Sequence, residues 1–318
     1  MQRVIGPHLP LGGGLLKAAA RAREIGATAI QVFTDNPTAW RRRAAPPAHL
    51  AEFRRRLDDA HVGPLAVHAP YLVNLCGAND DFWQRSVATM ANELRVGALY
   101  GAQFVVMHIG SHRGLERSEG IRRLVRGLGA VLAQADEATP ANDQLPRLVL
   151  ENAAGTGDGI GASVEDLADI LAAAATAGLA MDRIGVCLDT AHLWGAGYDI
   201  GDDAGIDRLV GQIDRLVGRQ AVVMLHLNDS RTSLGSHLDR HEHIGAGQLG
   251  EAGLHELLNH PWLATLPTYL ETPGMDSGYD GINLDRARRI ADGERLAQLP
   301  DEAFDMHRSQ ARTGPPAF

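Results

Sequence analysis

The sequence has few of the features that mark secreted, disulfide-stabilised or membrane proteins. Cysteine occurs only at Cys76 and Cys187, which is too few for a disulfide framework. No apolar run approaches the roughly 18 residues that would suggest a transmembrane helix. The N-terminal stretch MQRVIGPHLP has neither the apolar segment nor the cleavage site of a signal peptide. We therefore expect a cytoplasmic protein with no membrane partner.

Basic residues are in the minority. The chain has 30 Lys+Arg against 39 Asp+Glu, a formal net charge of −9. Taken alone, this charge argues against a nucleic-acid partner, because phosphates bind to positive surface. However, the formal charge leaves out bound divalent cations, and three of these would offset most of the negative net charge. Basic residues also cluster locally, as in WRRR (40–43) and RRR (54–56). The net charge therefore does not exclude DNA.

The apolar pattern predicts a parallel α/β fold. Eight strand-length apolar runs alternate with segments such as LLKAAARAREIGA, whose apolar residues recur three and four apart as in an amphipathic helix. This alternation indicates parallel strands covered on both faces, and eight such strands fit a (β/α)8 TIM barrel. A doubly wound open sheet is the competing architecture, but no Gly-x-Gly-x-x-Gly turn follows the first strand. We place a single barrel domain over residues 1–292 and a partly flexible tail over 293–318.

Acidic and imidazole residues stand at the ends of seven of the eight predicted strands. In chain order they are His8, His68, His108, Glu151, Asp189, His226 and Glu271. The second strand, ending VFTDN, has none at this point. In a parallel barrel the carboxyl ends of the strands meet on one face, where active sites form. Carboxylates brought together there repel one another unless cations neutralise them. Imidazole and carboxylate without thiolate suit Zn2+, and also Mn2+ or Fe2+.

Two further pairs of candidate ligands flank the strands. In DTAH, Asp189 and His192 are three residues apart, so one helical turn places both on the same face. In DRH, Asp239 and His241 are two apart, so an extended segment points both the same way. A lone histidine at a strand end is more often a hydrogen-bonded core residue than a ligand. The prediction of a metal site therefore depends on the recurrence of such residues at seven strand ends. His8 is left open as either a ligand or a residue behind the ligands.

The residues around these positions resemble a known family. The segments VHAPYLVNL, MHIGSH, LENAAGTG, VCLDTAHLWGAGYD, HLNDSRTSLGSHLDRHEHIGAG and LETPG resemble signature segments of the endonuclease IV family, also called AP endonuclease family 2 or deoxyribonuclease IV. The likeness extends from about Val4 to Leu284. It implies a xylose-isomerase-like TIM barrel that acts in base excision repair. The implied reaction is hydrolysis of the phosphodiester 5′ to an abasic site in duplex DNA, leaving a 3′-hydroxyl.

The resemblance also implies a trinuclear zinc cluster, with Mn2+ or Fe2+ as an alternative at one position, and a metal-bound hydroxide as nucleophile. The first ion would be held by His68, His108 and Glu151, the second by Glu151, Asp189, His226 and Glu271, and the third by His192, Asp239 and His241. The catalytic residues would be Glu151, which bridges two ions, and Glu271, which orients the nucleophile. A monomer is implied as well.

The same resemblance assigns DNA contacts. Tyr71 and Leu72 in PYLVN match the pair that the family inserts into the gap left by the extruded sugar, where an aromatic and an aliphatic side chain replace lost stacking. Asn74 and Arg41 are further expected contacts. In the family pattern FTxNxRxW an arginine enters the gap, whereas this sequence, FTDNPTAW, has Thr38 there. The arginines at 41–43 follow closely and could substitute for it or contact phosphates.

Two alternatives stand beside the nuclease. A sugar isomerase or epimerase of the xylose-isomerase-like barrels would use a smaller metal site and would not require DTAH together with DRH. A non-catalytic binder of bent or damaged DNA would be expected to have lost a ligand, and none of the nine is missing. The complete ligand set therefore favours the nuclease.

Overall fold

The structure, a computed structural model, describes residues 3–43, 45–140 and 144–310. Its strands are β1 (Ile5–Pro7), β2 (Ile30–Val32), β3 (Leu65–His68), β4 (Phe104–His108), β5 (Arg147–Glu151), β6 (Ile184–Asp189), β7 (Val222–His226), β8 (Asp229–Ser230), β9 (His241–Glu242) and β10 (Thr268–Leu270). Eight of them form one sheet in the order β1-β10-β7-β6-β5-β4-β3-β2, with every pair parallel. A parallel bridge between His8 and Gln31 joins the two outer strands. The sheet is thereby closed, and the predicted TIM barrel is confirmed.

Helices surround the barrel. They are α1 (Leu15–Glu24), α2 (Leu50–Asp59), α3 (Asp80–Tyr100), α4 (Arg117–Glu137), α5 (Val164–Thr176), α6 (Thr190–Ala196), α7 (Asp203–Leu216), α8 (Gly250–Asn259), α9 (Tyr279–Ala291) and α10 (Asp301–Gln310). The side chains of Asn79, Ser163 and Asp202 accept hydrogen bonds from first-turn amides of α3, α5 and α7, which have no partner within the helix. Within the described ranges, none of the helices has the length and apolarity needed to cross a bilayer.

The barrel interior is filled in layers. One layer, here called the apolar plug, consists of Ala29, Ala66, Val106, Val149, Cys187, Met224 and Tyr269, all fully buried. Side chains alternate along a strand, so the residue two positions further on faces the same way. Those residues are Gln31, His68, His108, Glu151, Asp189, His226 and Glu271. The polar cluster therefore rests directly on the apolar plug, which separates it from the other end of the barrel.

Gly6 allows β1 to close the barrel. A Cβ at this position would lie 1.7 Å from the carbonyl oxygen of Ala29. On either side of this approach, the amide of Thr28 donates to the carbonyl of Ile5 (3.0 Å) and the amide of Leu9 donates to that of Gln31 (2.7 Å). A side chain at Gly6 would separate β1 from β2 and open the barrel.

Helix α10 lies beyond residue 292, where the barrel domain was predicted to end, and it contacts that domain at His243. Ala303 of α10 is fully buried, and its carbonyl oxygen accepts a hydrogen bond from Nε2 of His243 (3.0 Å). The ring of Phe304 meets the same imidazole edge-on, with centroids 6.0 Å apart. Residues 311–318 lie outside the described residues, so the domain boundary and the flexibility of the tail stay predictions.

Candidate metal centre

Three groups of side chains converge at the carboxyl ends of the strands. Within each group the ligand atoms lie within 4.8 Å of one another. The groups are His68, His108 and Glu151; then Glu151, Asp189, His226 and Glu271; and then Asp189, His192 and His241. Because Glu151 and Asp189 each belong to two groups, the three are contiguous. Eight of the nine ligands predicted from the sequence are therefore brought together.

Asp239, the ninth predicted ligand, lies beside the third group. Its Oδ2 is 3.2 Å from Nε2 of His192, and its Oδ1 is 3.2 Å from Nε2 of His241. The Asp239 side chain is 46% exposed, whereas that of Asp189 is fully buried. The two imidazoles thus lie between one carboxylate on the solvent side and another on the interior side.

Backbone carbonyls fix the orientation of three imidazoles. Nδ1 lies within hydrogen-bond distance of a carbonyl oxygen in the pairs His68 with Ala69 (2.7 Å), His192 with Asn152 (2.8 Å) and His241 with Glu271 (2.8 Å). A carbonyl oxygen only accepts, so Nδ1 carries a proton in each ring and Nε2 faces the carboxylates. Metal-binding histidines in proteins are commonly held in this way, with one nitrogen bonded to a carbonyl and the other free for the ion.

The charges of the cluster also fit a set of cations. Although burial opposes ionisation, His226 and His108 hold the pKa of Glu151 well below its usual range. Burial likewise opposes the charge on His241, but Asp189 and Asp239 raise its pKa to about 10. Nε2 of His241 is buried and makes no hydrogen bond within the described structure. A proton or a metal ion must therefore lie between Nε2 of His241 and the carboxylate of Asp239. The donor set of the cluster suits zinc.

Two asparagines that were not singled out from the sequence hold the carboxylates in place. Nδ2 of Asn228 donates to Oδ2 of Asp189 (2.6 Å), and its Oδ1 accepts from the amide of Glu271 (2.8 Å). Oδ1 of Asn152 accepts from the amide of Asp189 (2.6 Å). Asn228 lies two positions after His226, the next inward position along the chain. That alternation is the signal that could have identified it.

β2 contributes Gln31 to the layer in which the other strands carry ligands. Its side chain is fully buried, Nε2 donates to Oε1 of Glu271 (2.6 Å), and Oε1 lies 2.9 Å from Nε2 of His226. The apolar run continues to Phe33, so the strand end inferred from the sequence lies beyond this residue. The usable signal was its position, two residues after Ala29 of the apolar plug.

His8 lies behind the ligands. It is buried, and its Nδ1 is 3.1 Å from Nε2 of Gln31 and 3.6 Å from Oε1 of Glu271. It is not a member of the three ligand groups found among the described residues. Of the two roles left open for His8, the geometry favours that of a neighbour to the ligands.

Tyr71, an expected DNA contact, stands at the open side of the cluster. Its side chain is 49% exposed. Its ring stacks on that of His108, with centroids 5.9 Å apart and an interplanar angle of 29°, and it meets Phe33 edge-on at 5.4 Å. The adjacent Leu72 is half-buried. An aromatic surface therefore lies directly beside the ligands.

Asn74, another expected DNA contact, is half-buried and joins two loops. Its Oδ1 accepts from the amide of Cys76 (2.9 Å), and its Nδ2 donates to the carbonyl of Ser111 (2.9 Å). It thereby fixes the loop after β3 against the loop after β4. A contact between Asn74 and DNA stays a prediction.

The loop after β2 carries the departure from the family pattern. Thr38 is exposed, and its hydroxyl donates to Oδ1 of Asn36 (2.9 Å). Among the arginines that follow, Arg42 donates to the carbonyl of Asn36 (3.1 Å) and so holds the loop itself. Arg41 and Arg43 are exposed. Arg41, the expected contact, is therefore placed at the surface, where a phosphate could reach it.

Comparisons with known proteins agree with this geometry. A family model described as a xylose isomerase-like TIM barrel matches residues 19–297. A probable endonuclease 4 from Nitratidesulfovibrio vulgaris is 39% identical over 289 residues, which cover 91% of this chain and 99% of that protein. Another from Halothermothrix orenii is 35% identical over 283 residues, covering 88% and 98%. The chain belongs to the endonuclease IV family.

Solved structures separate this family from its wider fold. Endonuclease IV from Thermus thermophilus is 36% identical, with a TM-score of 0.78 over 92% of this chain and 100% of that one. A 3-keto-D-glucoside 4-epimerase from E. coli is 11% identical, with a TM-score of 0.58 over 98% and 100%, a likeness that shows the fold alone. Membership of the endonuclease IV family confirms the family, the barrel and the nuclease class predicted from the sequence.

Proposed function

We propose that this chain is an AP endonuclease that hydrolyses the phosphodiester 5′ to an abasic site in duplex DNA and leaves a 3′-hydroxyl. The observation that carries the proposal is the set of three contiguous ligand groups joined through Glu151 and Asp189. Its relatives, named probable endonuclease 4, and the Thermus endonuclease IV support it. The sugar isomerase or epimerase alternative is supported by likeness of fold alone.

Nine residues would hold three zinc ions, with Mn2+ or Fe2+ as an alternative at one position. The first ion would take His68, His108 and Glu151, the second Glu151, Asp189, His226 and Glu271, and the third His192, Asp239 and His241. When bound, such ions supply positive charge to phosphate oxygens and lower the pKa of a water molecule. The residues around the site would hold the ligands in place, since three imidazoles are fixed by backbone carbonyls.

Among the three carboxylates of the second group, Glu271 is the one that reaches the open side of the cluster. Its side chain is 14% exposed, whereas those of Glu151 and Asp189 are fully buried. Gln31 holds its Oε1, and Asn228 accepts from its amide. A general base must lie within hydrogen-bond reach of the proton that it accepts. We therefore assign to Glu271 the role of the general base that accepts a proton from the attacking water. Glu151 would stay charged as the bridge between two groups.

The open side of the cluster would receive abasic duplex DNA. Extruding a nucleotide costs least where the base is already missing. Tyr71, exposed beside His108, and Leu72 could then fill the gap that remains in the stack. Arg41 would contact a phosphate, and Asn74 would keep this loop ordered. The protein would act as a cytoplasmic monomer in base excision repair.

The proposal is tested with a 5′-labelled duplex that carries one tetrahydrofuran abasic-site analogue. We expect incision on the 5′ side of the analogue, a 3′ end that a DNA polymerase extends, and loss of activity with a chelator. The same duplex without the lesion is the control and should remain uncut. If zinc-loaded protein leaves the analogue intact but interconverts keto-sugars, the isomerase alternative is correct. Tight binding without incision would support the non-catalytic binder.

A further inference from the structure

Gln31 connects residues that lie on different sides of the barrel. It is fully buried on β2, yet its side chain contacts polar groups from three other strand ends. Nε2 lies 2.6 Å from Oε1 of Glu271 and 3.1 Å from Nδ1 of His8. Oε1 lies 2.9 Å from Nε2 of His226. A single buried amide is therefore shared between two candidate ligands and one imidazole behind them.

The carboxylate of Glu271 decides how this amide is oriented. An ionised carboxylate accepts hydrogen bonds and cannot donate them, so the NH2 group of Gln31 must face it. The opposite orientation would place two acceptor oxygens 2.6 Å apart. With the NH2 group directed at Glu271 and His8, the amide oxygen faces His226. The carboxylate of Glu271 thereby determines that His226 faces the amide oxygen of Gln31 and not its NH2 group.

This orientation determines the tautomer of His226. The amide oxygen only accepts, so Nε2 of His226 must carry a proton. Nδ1 is then the nitrogen available for an ion, and it lies 3.1 Å from Oε1 of Glu151 and 3.2 Å from Oε2 of Glu271. His226 is thus turned the opposite way from His68, His192 and His241, which bond through Nδ1 to backbone carbonyls and present Nε2.

We propose that Gln31 is a positioning residue that makes His226 bind its ion through Nδ1 and holds Glu271 at the same ion. For His226 it takes the place that a backbone carbonyl takes for His68, His192 and His241. The inference rests on the ligand groups of the proposed function, but not on the reaction. In metal sites, partners of this kind typically contribute about 10–100-fold to metal affinity or activity.

The first test uses the wild-type zinc-loaded protein. Long-range 1H–15N spectra of 15N-histidine-labelled protein distinguish a ring that is protonated on Nε2 from one that is protonated on Nδ1. We expect His226 to be protonated on Nε2, and His68, His192 and His241 to be protonated on Nδ1. A His226 ring protonated on Nδ1 would overturn the proposal. The measurement requires no variant, so a folding defect cannot obscure it.

The second test removes the amide. Gln31→Met keeps the length of the side chain but lacks all three hydrogen bonds. In competition with a chelator, we expect one of the three zinc ions to bind about 10–100-fold more weakly and the other two to be retained. Gln103→Met is the matched control, because among the described residues the Gln103 side chain bonds backbone groups alone, at Leu65 and Gly101. This variant should keep all three ions. Wild-type affinity for all three ions in Gln31→Met would contradict the proposal.

The two tests separate this inference from the proposed function, because neither uses DNA. If the spectra and the zinc competition give the expected results but no abasic duplex is cleaved, the role of Gln31 stands and the proposed reaction is wrong. If cleavage occurs but the His226 ring is protonated on Nδ1, the reaction stands and the role of Gln31 is wrong. If Gln31→Met does not fold, Gln31→Glu is the second variant, because it places another carboxylate against Glu271. It should weaken the binding of the same zinc ion.

Discussion

Nε2 of His68 lies 3.3 Å from Oε2 of Glu151, although the carbonyl of Ala69 already fixes a proton on Nδ1 of that ring. Both side chains are buried. Two facing acceptors in a buried site would repel each other unless a second proton or a metal ion lies between them. The same relationship recurs at His192 and His241 beside Asp239. The cluster therefore requires positive charge, from protons in the metal-free protein or from bound cations.

Zinc binding should release protons. Burial opposes the charge, but neighbouring carboxylates raise the pKa of His192 well above the usual value and that of His241 to about 10. The pKa of His226 is also raised well above the usual value, by Cys187 as well as by carboxylates. At mildly alkaline pH the metal-free imidazoles therefore keep protons that zinc must displace, and zinc affinity should rise with pH. Titration calorimetry in buffers of different ionisation enthalpy measures this release. A binding heat that is the same in every buffer would contradict it.

The same shift predicts how the stability of the metal-free protein varies with pH. The pKa of His241 is about 10 in the folded chain and about 6.5 when unfolded, so its protonation stabilises the fold. This contribution is fully present below the unfolded value and is lost as pH rises through the folded one. We expect the Tm of metal-free protein to fall as pH approaches about 10, more steeply than that of zinc-loaded protein. Parallel pH profiles of the two forms would contradict this expectation.

Glu271→Gln should reduce turnover while abasic DNA still binds. The amide cannot accept the proton of the attacking water, and general-base catalysis typically contributes about 10²–10⁴-fold. Because Glu271 is also a candidate ligand, the zinc content of the variant must be measured with its kcat. Loss of kcat with zinc and DNA affinity largely retained supports the assigned role. Turnover close to wild type would remove Glu271 from the mechanism.

Tyr71→Ala should weaken the binding of abasic duplex without affecting the fold. The ring is 49% exposed, so its removal leaves the core intact, and stacking of a base on an aromatic ring is worth about 1–3 kcal/mol. Fluorescence anisotropy with abasic and intact duplexes measures the change. Leu216→Ala, at an exposed apolar residue of α7, is the control. Equal affinity of Tyr71→Ala and wild type for the abasic duplex would show that the ring does not enter the gap.

Arg41→Ala should lower affinity for DNA and its dependence on salt. Each phosphate neutralised by a basic residue adds about 0.9 to the slope of log K against log salt concentration. The variant should therefore have a slope that is smaller by about that amount. Arg122→Ala removes an exposed arginine that is paired with Glu119 on α4 and serves as control. An unchanged slope would mean that Arg41 does not contact a phosphate.

The pattern of strand ends predicts most of the candidate site, because inward positions in a parallel barrel repeat every two residues. The residues that hold the ligands are harder to predict. Asn74 and its partner Ser111 are 37 positions apart, and Asn228 reaches both Asp189 and Glu271. The two-residue alternation marks Asn228 as an inward-facing residue. It does not show which groups these side chains contact, because those contacts depend on how separate loops approach one another. A search for metal ligands does not identify Gln31, because glutamine is not a usual ligand, although its register matches that of the ligands.

The most direct test of the central claim is anomalous diffraction at the zinc edge from crystals of the zinc-loaded protein. Three peaks are expected at the carboxyl end of the barrel. One should lie beside His68 and His108, one beside His226 and Glu271, and one between His192 and His241. A single peak there, or peaks only at surface sites, would contradict the account of a trinuclear centre.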